Sequence, residues 1–575
     1  MQIIKTFIKL IAFVSPAMAT AQSTYLTQGD KAYHFIDRLE IKQQRNTDLN
    51  FSTVKPYSRK FIIQQAAFLD SARMLNQDSA GNNKNNGWKN ITLTKIDEYN
   101  MRSLLMNNSE WVTVPREDFK SRLPWFKTFY KTKTNFFEVN NKDFFLVINP
   151  VLQFSAGKET DNSNNLYLNS RGLTVRGRIG GKIGFSSTII DNQERGPGYF
   201  QNQVTTSRAV PGVGFYKTFK GDGTAKDYFD ARGYVTFSAT KFIDIQFGYD
   251  KNFIGNGHRS LFLSDWGNSY LFAKINTKIW KFNYQNIFME LMPQYTKNGD
   301  SLLGRKYAAM HHLSMNVTKW LNIGLFEGVI FGRKNHFDFQ YLNPIIFYRH
   351  IEGTVGSPDN AVAGLDFKAN ILRKFQLYGQ LLFDEFILSR IKNQPRYWAN
   401  KFAIQVGAKY IDAFGIKNLD LQGEINRVRP FTYSHNDTVA NYTHYNQPLA
   451  HPLGANFQEL IGIIRYQPFP KWYINARMMY YYKGLDSANL NFGGNIFKDY
   501  KTRSAEDGYE VGSGNKLSVF NALLEVSYEL KQNLFLEFTL QQRNSKLAGT
   551  PNAAVNSTFI SGGVRLNMFK RVYDY

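Results

Sequence analysis

Cysteine is absent from the 575-residue sequence, which removes disulfides, thiolate nucleophiles and cysteine-bearing metal sites together. A lipid anchor on an N-terminal cysteine is excluded as well, so an exported form must be held by hydrogen bonding and packing alone. Long apolar runs are also missing, and beyond the N-terminal stretch nothing approaches the ~18 residues of a membrane-crossing helix. Acidic residues are the minority charge, 46 Asp and Glu against 70 Lys and Arg, for a formal net charge of +24. Such an excess points to anionic partners, acidic polysaccharide or the phosphates of lipopolysaccharide, although lysines that solubilise loops and anchor rims leave the same signature.

The N-terminus carries the marks of export. Lys5 and Lys9 border an apolar run at 10–14, Pro16 follows, and the Ala19-Thr20-Ala21 triplet suits cleavage before Gln22. Residues 1–21 are therefore expected to be a signal peptide, and nucleic acid is a poor candidate partner for an exported chain.

What the chain has in abundance is aromatic residues, 15% of the total, at a mean hydropathy of −0.39. Transmembrane β-barrels combine the two because apolar residues facing lipid alternate with polar residues facing the lumen. A soluble, secreted β-rich protein is the alternative. The connections favour the barrel. From about residue 144 onward, tight links (180–181, 240–241, 279, 318–320, 373–374, 467–470, 530–532) alternate with long polar loops (191–229, 251–268, 291–306, 331–360, 387–400, 428–455, 483–516). One rim of short turns and one of long loops is the pattern of an outer-membrane barrel.

Period-two segments support this reading. Over 375–386, Phe375, Leu377, Gly379, Leu381 and Phe383 share one face, with Gln376, Tyr378, Gln380 and Asp384 on the other. The segment 559–568 alternates in the same way and is placed to pair with 145–154, closing the sheet. Trp280, Trp320, Trp472 and Tyr473 lie at predicted strand ends, as an interfacial aromatic girdle requires. Residues 22–140 differ: 59–75 and 93–111 have helical spacing, separated by a polar loop at 79–87. The expected fold is thus an all-β membrane protein in the bacterial outer membrane. It is a transmembrane antiparallel β-barrel of about 18 strands over 141–575, with a small helical N-terminal unit on the periplasmic side or plugging the barrel. That unit, or a loop as long as 331–360, is able to close the lumen.

Catalytic and metal-binding patterns are absent. His311 and His312 are adjacent and point to opposite faces of a strand, as do Asp384 and Glu385, which therefore cannot flank one scissile bond. Gly255-Asn256-Gly257 lacks the following helix that a phosphate loop needs, and no histidine spacing suits a metal. No enzyme activity and no cofactor are expected. Charged residues on lumen rows, namely Arg176, Arg178, Asp366, Lys368, Asp384, Glu424, Glu525, Glu537 and Arg565, are expected to form an internal charge ladder, or else to tune a pore. In the loops, His258, Arg259, Trp266, Tyr348, Arg349, His350, Arg396, Tyr397 and Trp398 combine aromatic faces, which stack on sugar rings, with cations that engage carboxylates or phosphates. Loop packing explains each of them individually, so the glycan reading rests on the group.

Residues 247–265 (FGYDKNFIGNGHRSLFLSD), Tyr341-Leu342-Asn343-Pro344, Asp359-Asn360 with Gly364-Leu365-Asp366, and 378–386 (YGQLLFDEF) resemble segments of Wzi-like capsule assembly proteins of Bacteroidota. Relatives of the RemB type, named for gliding motility, are resembled at least as closely. The resemblance implies an eighteen-strand outer-membrane barrel with a small helical part, a lectin that holds capsular polysaccharide at the cell surface. No glycan-binding position of that family is matched residue by residue. A motility or adhesion role with protein partners, and a diffusion porin, remain alternative readings.

Overall fold

The computed structural model describes residues 23–44, 48–78, 93–112, 116–160, 162–219, 223–294, 302–345, 347–356, 358–385, 388–487, 489–549 and 554–575; the expected signal peptide and the polar loop at 79–87 lie outside them. Its centre is a closed antiparallel barrel of 18 strands. They are β1 Phe144–Glu159, β2 Leu166–Ile179, β3 Ile183–Arg195, β4 Ala225–Ser238, β5 Ile243–Asp250, β6 Tyr270–Ile279, β7 Phe282–Leu291, β8 Lys306–Asn316, β9 Leu321–Phe331, β10 Asn360–Ile371, β11 Phe375–Glu385, β12 Lys401–Tyr410, β13 Leu419–Val428, β14 Phe457–Tyr466, β15 Trp472–Leu485, β16 Asn515–Lys531, β17 Leu534–Leu547 and β18 Ala554–Leu566. β18 closes on β1, with Phe559 opposite Glu159 and Leu566 opposite Leu152, which removes the sheet edge. No helix of the described residues is long and apolar enough to cross a membrane.

Alternating polarity makes these segments strands. On β11, Leu377 is 40% exposed on the lipid side, while Gln376 and Tyr378 beside it are each 1% exposed on the lumen side. Short and long connections alternate around the barrel as the sequence predicts, with one further short link at 411–418. Gly180 and Gly181, at φ of 56° and 66°, supply the left-handed backbone for the link between β2 and β3. Trp280, Trp320 and Trp472 stand exposed at the short-turn ends of their strands. Tyr473 departs from the expected girdle, turning inward to donate to Glu529 (3.1 Å).

The N-terminal unit fills the mouth at the short-turn rim, the periplasmic one. Three helices, α1 Ala32–Gln43, α2 Arg59–Asp78 and α3 Lys95–Met106, pack around Phe35, Ile36, Leu39, Ile63, Leu104 and Leu105. α3 starts at a capping box between Thr94 and Asp97; α1 is an element that the sequence reading did not anticipate. Polar contacts fix the unit to lumen-facing wall residues: Lys368 to Glu40 (2.7 Å), Lys31 to Glu529 (2.5 Å), Lys409 to Asp37 (2.7 Å) and Arg176 to Glu110 (2.8 Å). Asn533, in the turn between β16 and β17, donates to Asn107 (2.6 Å).

The loop from 332 to 359 does not fold inward. Phe326 of β9 points into the lumen, so by alternation Glu327, Val329 and Phe331 face outward, and the loop covers them together with Tyr307 and Ala309 of β8. The reason lies in the wall. His311 and Glu327 pair on this outer face (2.9 Å), where bare lipid is costly for a charge, and Glu327 also accepts the backbone N–H groups of Tyr348 (3.0 Å) and Arg349 (2.9 Å) at the start of α5, Tyr348–Thr354. The flap turns Phe339, Ile345 and Phe347 outward in exchange.

Lys368 and Glu40 are each 1% exposed, so removing one partner leaves the other charge buried and unpaired. Lys368→Met is expected to destabilise docking of the N-terminal unit by about 3 kcal/mol, and the double variant Lys368→Met with Glu40→Gln by less. Urea dependence of trypsin cleavage within the unit measures the difference; equal losses for both variants would refute it.

Candidate functional site

The lumen is crossed by the loop between β5 and β6, which the sequence reading expected to face outward. Its Leu261, Phe262 and Leu263 are fully buried, and that apolar run explains why it folds in. Phe262 stacks on Phe326 with ring centres 4.5 Å apart, and a Cβ at Gly364 would lie 2.4 Å from its ring, so the close approach requires glycine. Wall side chains satisfy the loop's backbone. Gln380 accepts from Leu261 N–H (2.8 Å) and donates to the Ile254 carbonyl (3.0 Å), while the Glu424 carboxylate accepts from the N–H groups of His258 (2.7 Å) and Arg259 (3.1 Å) and from the Tyr378 hydroxyl (2.9 Å). Phe253–Ile254 also pairs with Val54–Lys55 of the N-terminal unit, so loop and plug form one interior body.

A second segment enters the lumen after β18. Residues 567–575 turn back between plug and wall: Lys570 reaches Glu525 (3.3 Å), Arg571 donates to the Tyr228 hydroxyl (2.7 Å) and Asn192 (2.8 Å), and Tyr573 donates to Glu194 (3.0 Å). Asp574 meets His258 (2.7 Å), Arg259 (2.8 Å) and Arg477 (3.4 Å). Burial opposes ionisation of Asp574, yet Arg259, Arg477 and His258 together hold its carboxyl well below the usual carboxylate range. The sequence signal for this segment is the charged and aromatic run Lys570-Arg571-Val572-Tyr573-Asp574-Tyr575, too polar to extend a lipid-facing strand.

Above loop and tail, toward the long-loop rim, lies a cavity of about 850 Å³. Tyr575 forms part of its floor, against Tyr199 of α4 Gly198–Ser207 (ring centres 5.8 Å apart) and Trp266 (5.7 Å). Arg543 lies over the Tyr199 ring at 4.8 Å and donates to the Tyr481 hydroxyl (3.3 Å). Two polar atoms at this site, Arg543 Nη1 and the Tyr575 hydroxyl, are buried with no hydrogen-bond partner. Lys483 lines the same wall. Chemically, the cavity offers tyrosine side chains and a partly committed guanidinium.

No protein-family model matches the chain, and no curated protein matches its sequence. Among solved structures, Wzi of Escherichia coli, described as an outer-membrane protein involved in group 1 capsule assembly and a carbohydrate-binding β-barrel, matches with a TM-score of 0.53 at 12% identity, covering 95% of this chain and 100% of that one. The fold is that of Wzi. OprD of Pseudomonas aeruginosa (TM-score 0.40, 11% identity, 73% and 95% covered) and OccAB2 of Acinetobacter baumannii (0.40, 10%, 73% and 97%) are similar at a lower level. Closed and with apolar side chains exposed on its outer face, the barrel is that of an outer-membrane protein.

In this Wzi-like barrel the nine loop residues singled out from the sequence occupy three places. His258 and Arg259 are inside the lumen, and Trp266 backs the cavity floor. On the flap, Tyr348 is buried against the His311 ring (4.3 Å), whereas Arg349 and His350 are exposed. Trp398 is buried, donating to Glu506 (2.8 Å) under the Arg503 guanidinium (3.9 Å); Tyr397 lies beneath Arg390 (4.1 Å), and Arg396 pairs with Glu510 (2.9 Å) at the surface. Arg543, Tyr199, Tyr481 and Tyr575 were missed, because three belong to strands or the tail and one to a helix inside a loop.

The lumen charges do face inward, but few make a wall ladder. Glu537 pairs with Arg565 (2.9 Å), Asp366 with His312 (2.6 Å) and Asp384 with Lys401 (3.0 Å) between strands. Arg176 and Lys368 bind the plug, Glu424 the inward loop and Glu525 the tail, and Arg178 lies over the Trp111 ring of the N-terminal unit (5.2 Å). The contents of the lumen, invisible to strand periodicity, are what these charges are for.

Three histidines of loop 428–455 are buried, each accepting a backbone N–H at Nδ1: His435 from Asp437, His444 from Met292 and His451 from Leu453. Burial lowers all three, His444 to about 4 from 6.5, so the folded loop holds them neutral. The unfolded loop then binds more protons, and the stability these groups confer is present above about pH 6.5 and lost as pH falls toward 4. Amide exchange at Met292, Asp437 and Leu453, corrected for intrinsic rate, is expected to be on the order of tenfold faster at pH 5 than at pH 7; equal corrected rates would disprove it.

Proposed function

We propose that this protein is a non-enzymatic outer-membrane barrel that binds or retains surface polysaccharide in the cavity above Tyr575. The observation that carries the reading is the pairing of tyrosine side chains with the half-buried Arg543 guanidinium on the lining of a space large enough for sugar residues. Ring faces stack on the apolar faces of sugars, and a guanidinium favours an acidic sugar over a neutral one. The Wzi fold, whose described member binds carbohydrate, supports the same reading. Exposed Arg349 and His350, beside Phe347 and Ile345 on the flap, suit contact with lipopolysaccharide headgroups at the outer leaflet. A freely open diffusion porin fits less well, since plug, inward loop and tail all occupy the lumen.

Arg543→Ala is expected to weaken binding of an acidic polysaccharide by about tenfold, the value of one charge-assisted hydrogen bond, with less effect on a neutral one. Calorimetry on the purified barrel reads this directly, and unchanged affinity for both polymers would remove the cavity from the site. In cells, deletion of the gene is expected to move polysaccharide from the surface to the medium at constant total. An unchanged partition together with poor spreading or adhesion would replace polysaccharide retention with a motility or adhesion role.

A further inference from the structure

A second cavity, of about 450 Å³, lies on the periplasmic side between plug and wall. Its lining reaches Gln467 and Asn533 in the short turns at one end and His258 and Arg477 at the other. Those last two side chains hold Asp574. The next residue, Tyr575, is part of the floor of the outward cavity. Along the tail, Met568, Phe569, Lys570 and Val572 line the inner cavity and Tyr575 the outer one, so the stretch from Tyr573 to Asp574 passes from one to the other. The tail backbone and the side chains clamping it therefore lie between the two spaces at this point.

We propose that residues 572–575 are a gate, and that their release joins the two cavities into a conduit for small anions between periplasm and exterior. The gate is held by polar contacts. Arg259 binds the Asp574 carboxylate and its backbone carbonyl and also pairs with Glu459 (3.2 Å), while Tyr199 donates to the Tyr573 carbonyl (2.9 Å). A clamp of this kind is strong when complete and weak once one member is lost.

The ion it would pass follows from the linings. Around the inner cavity eight Lys and Arg stand against four Asp and Glu, and Arg59 and Arg465 there are in no ion pair among the described residues. The outer cavity adds Arg208, Lys483 and Arg543 against Glu159 and Asp486. Basic walls at a constriction admit anions and repel cations.

The test uses the full-length protein in planar lipid bilayers with potassium chloride. The intact chain is expected to conduct little. Deleting residues 572–575, which leaves β18 intact, is expected to raise conductance by about tenfold or more, with a reversal potential in a salt gradient on the chloride side. Asp574→Asn, a milder change that keeps the tail, is expected to give intermittent openings of the same selectivity, and it serves where the deletion does not assemble. Because the chain has no cysteine, Tyr575→Cys gives a clean second readout: reaction with a membrane-impermeant maleimide is expected to quicken when Asp574→Asn is added. Heat-modifiable migration of the barrel on gels establishes folding. Folded variants that conduct no more than the intact chain would overturn the proposal. So would an intact chain already conducting as freely as the variants, or a cation-selective current.

Discussion

The Glu424 carboxylate is the contact on which the interior depends. It accepts two backbone N–H groups of the crossing loop and the Tyr378 hydroxyl, and is itself buried. A loop laid across a barrel brings backbone donors and acceptors that its own residues satisfy only in part, so the wall must satisfy the rest with side chains. Gln380 and Glu424 perform this task on adjacent turns of the loop, and their positions on inward rows of β11 and β13 are fixed by the strand register. Lose that bracket, and Arg259 no longer faces Asp574.

From this bracket the rest of the interior follows in order. With His258 and Arg259 held, the loop presents the Arg259 guanidinium and the His258 ring toward the barrel axis, and Arg477 adds a second guanidinium from β15. Two guanidinium groups around one point demand an anion, and Asp574 of the tail supplies it. Arg259 is also balanced by Glu459, which takes a further hydrogen bond from His451 (2.7 Å), so the outward loop 429–456 is tied into the same network. Plug, crossing loop, tail and one surface loop thus share a continuous set of charge-assisted contacts, whose members are costly to remove singly because each lies in a low-dielectric interior.

The wall of this protein was far more legible in its sequence than the contents. Period-two alternation on β11 and β16 and the order of short and long connections reflect local rules, lipid outside and polar lumen inside, and these act on each strand separately. Closure of β18 on β1 was legible for the same reason. The destinations of the loops were not, because they depend on contacts hundreds of residues apart. Loop 251–268 and loop 331–360 are both rich in aromatic and basic residues, yet the first enters the lumen, where Phe262 meets Phe326, and the second lies on the outer wall, where Glu327 needs cover. Only knowing which faces of β8 and β9 carry His311 and Glu327 separates the two cases. The candidate site was hidden further, since Arg543, Tyr199 and Tyr575 converge from a strand, a loop helix and the tail.

The net charge of +24 acquires a place once the interior is known. Many lumen acids are spoken for: Glu40 by Lys368, Glu110 by Arg176, Glu529 by Lys31, Asp420 and Asp97 by Arg38, Asp574 by Arg259. What these pairings leave over is basic, and it lines the two cavities, where Arg59, Arg465, Arg543 and Lys483 face space without a carboxylate of their own among the described residues. A positive potential concentrated in concave, poorly hydrated surfaces acts on anions more strongly than the same charge spread over solvated loops. Basic composition here is therefore more than a solubility device: its unpaired part is focused on the two spaces that an anionic ligand from either side of the membrane would enter.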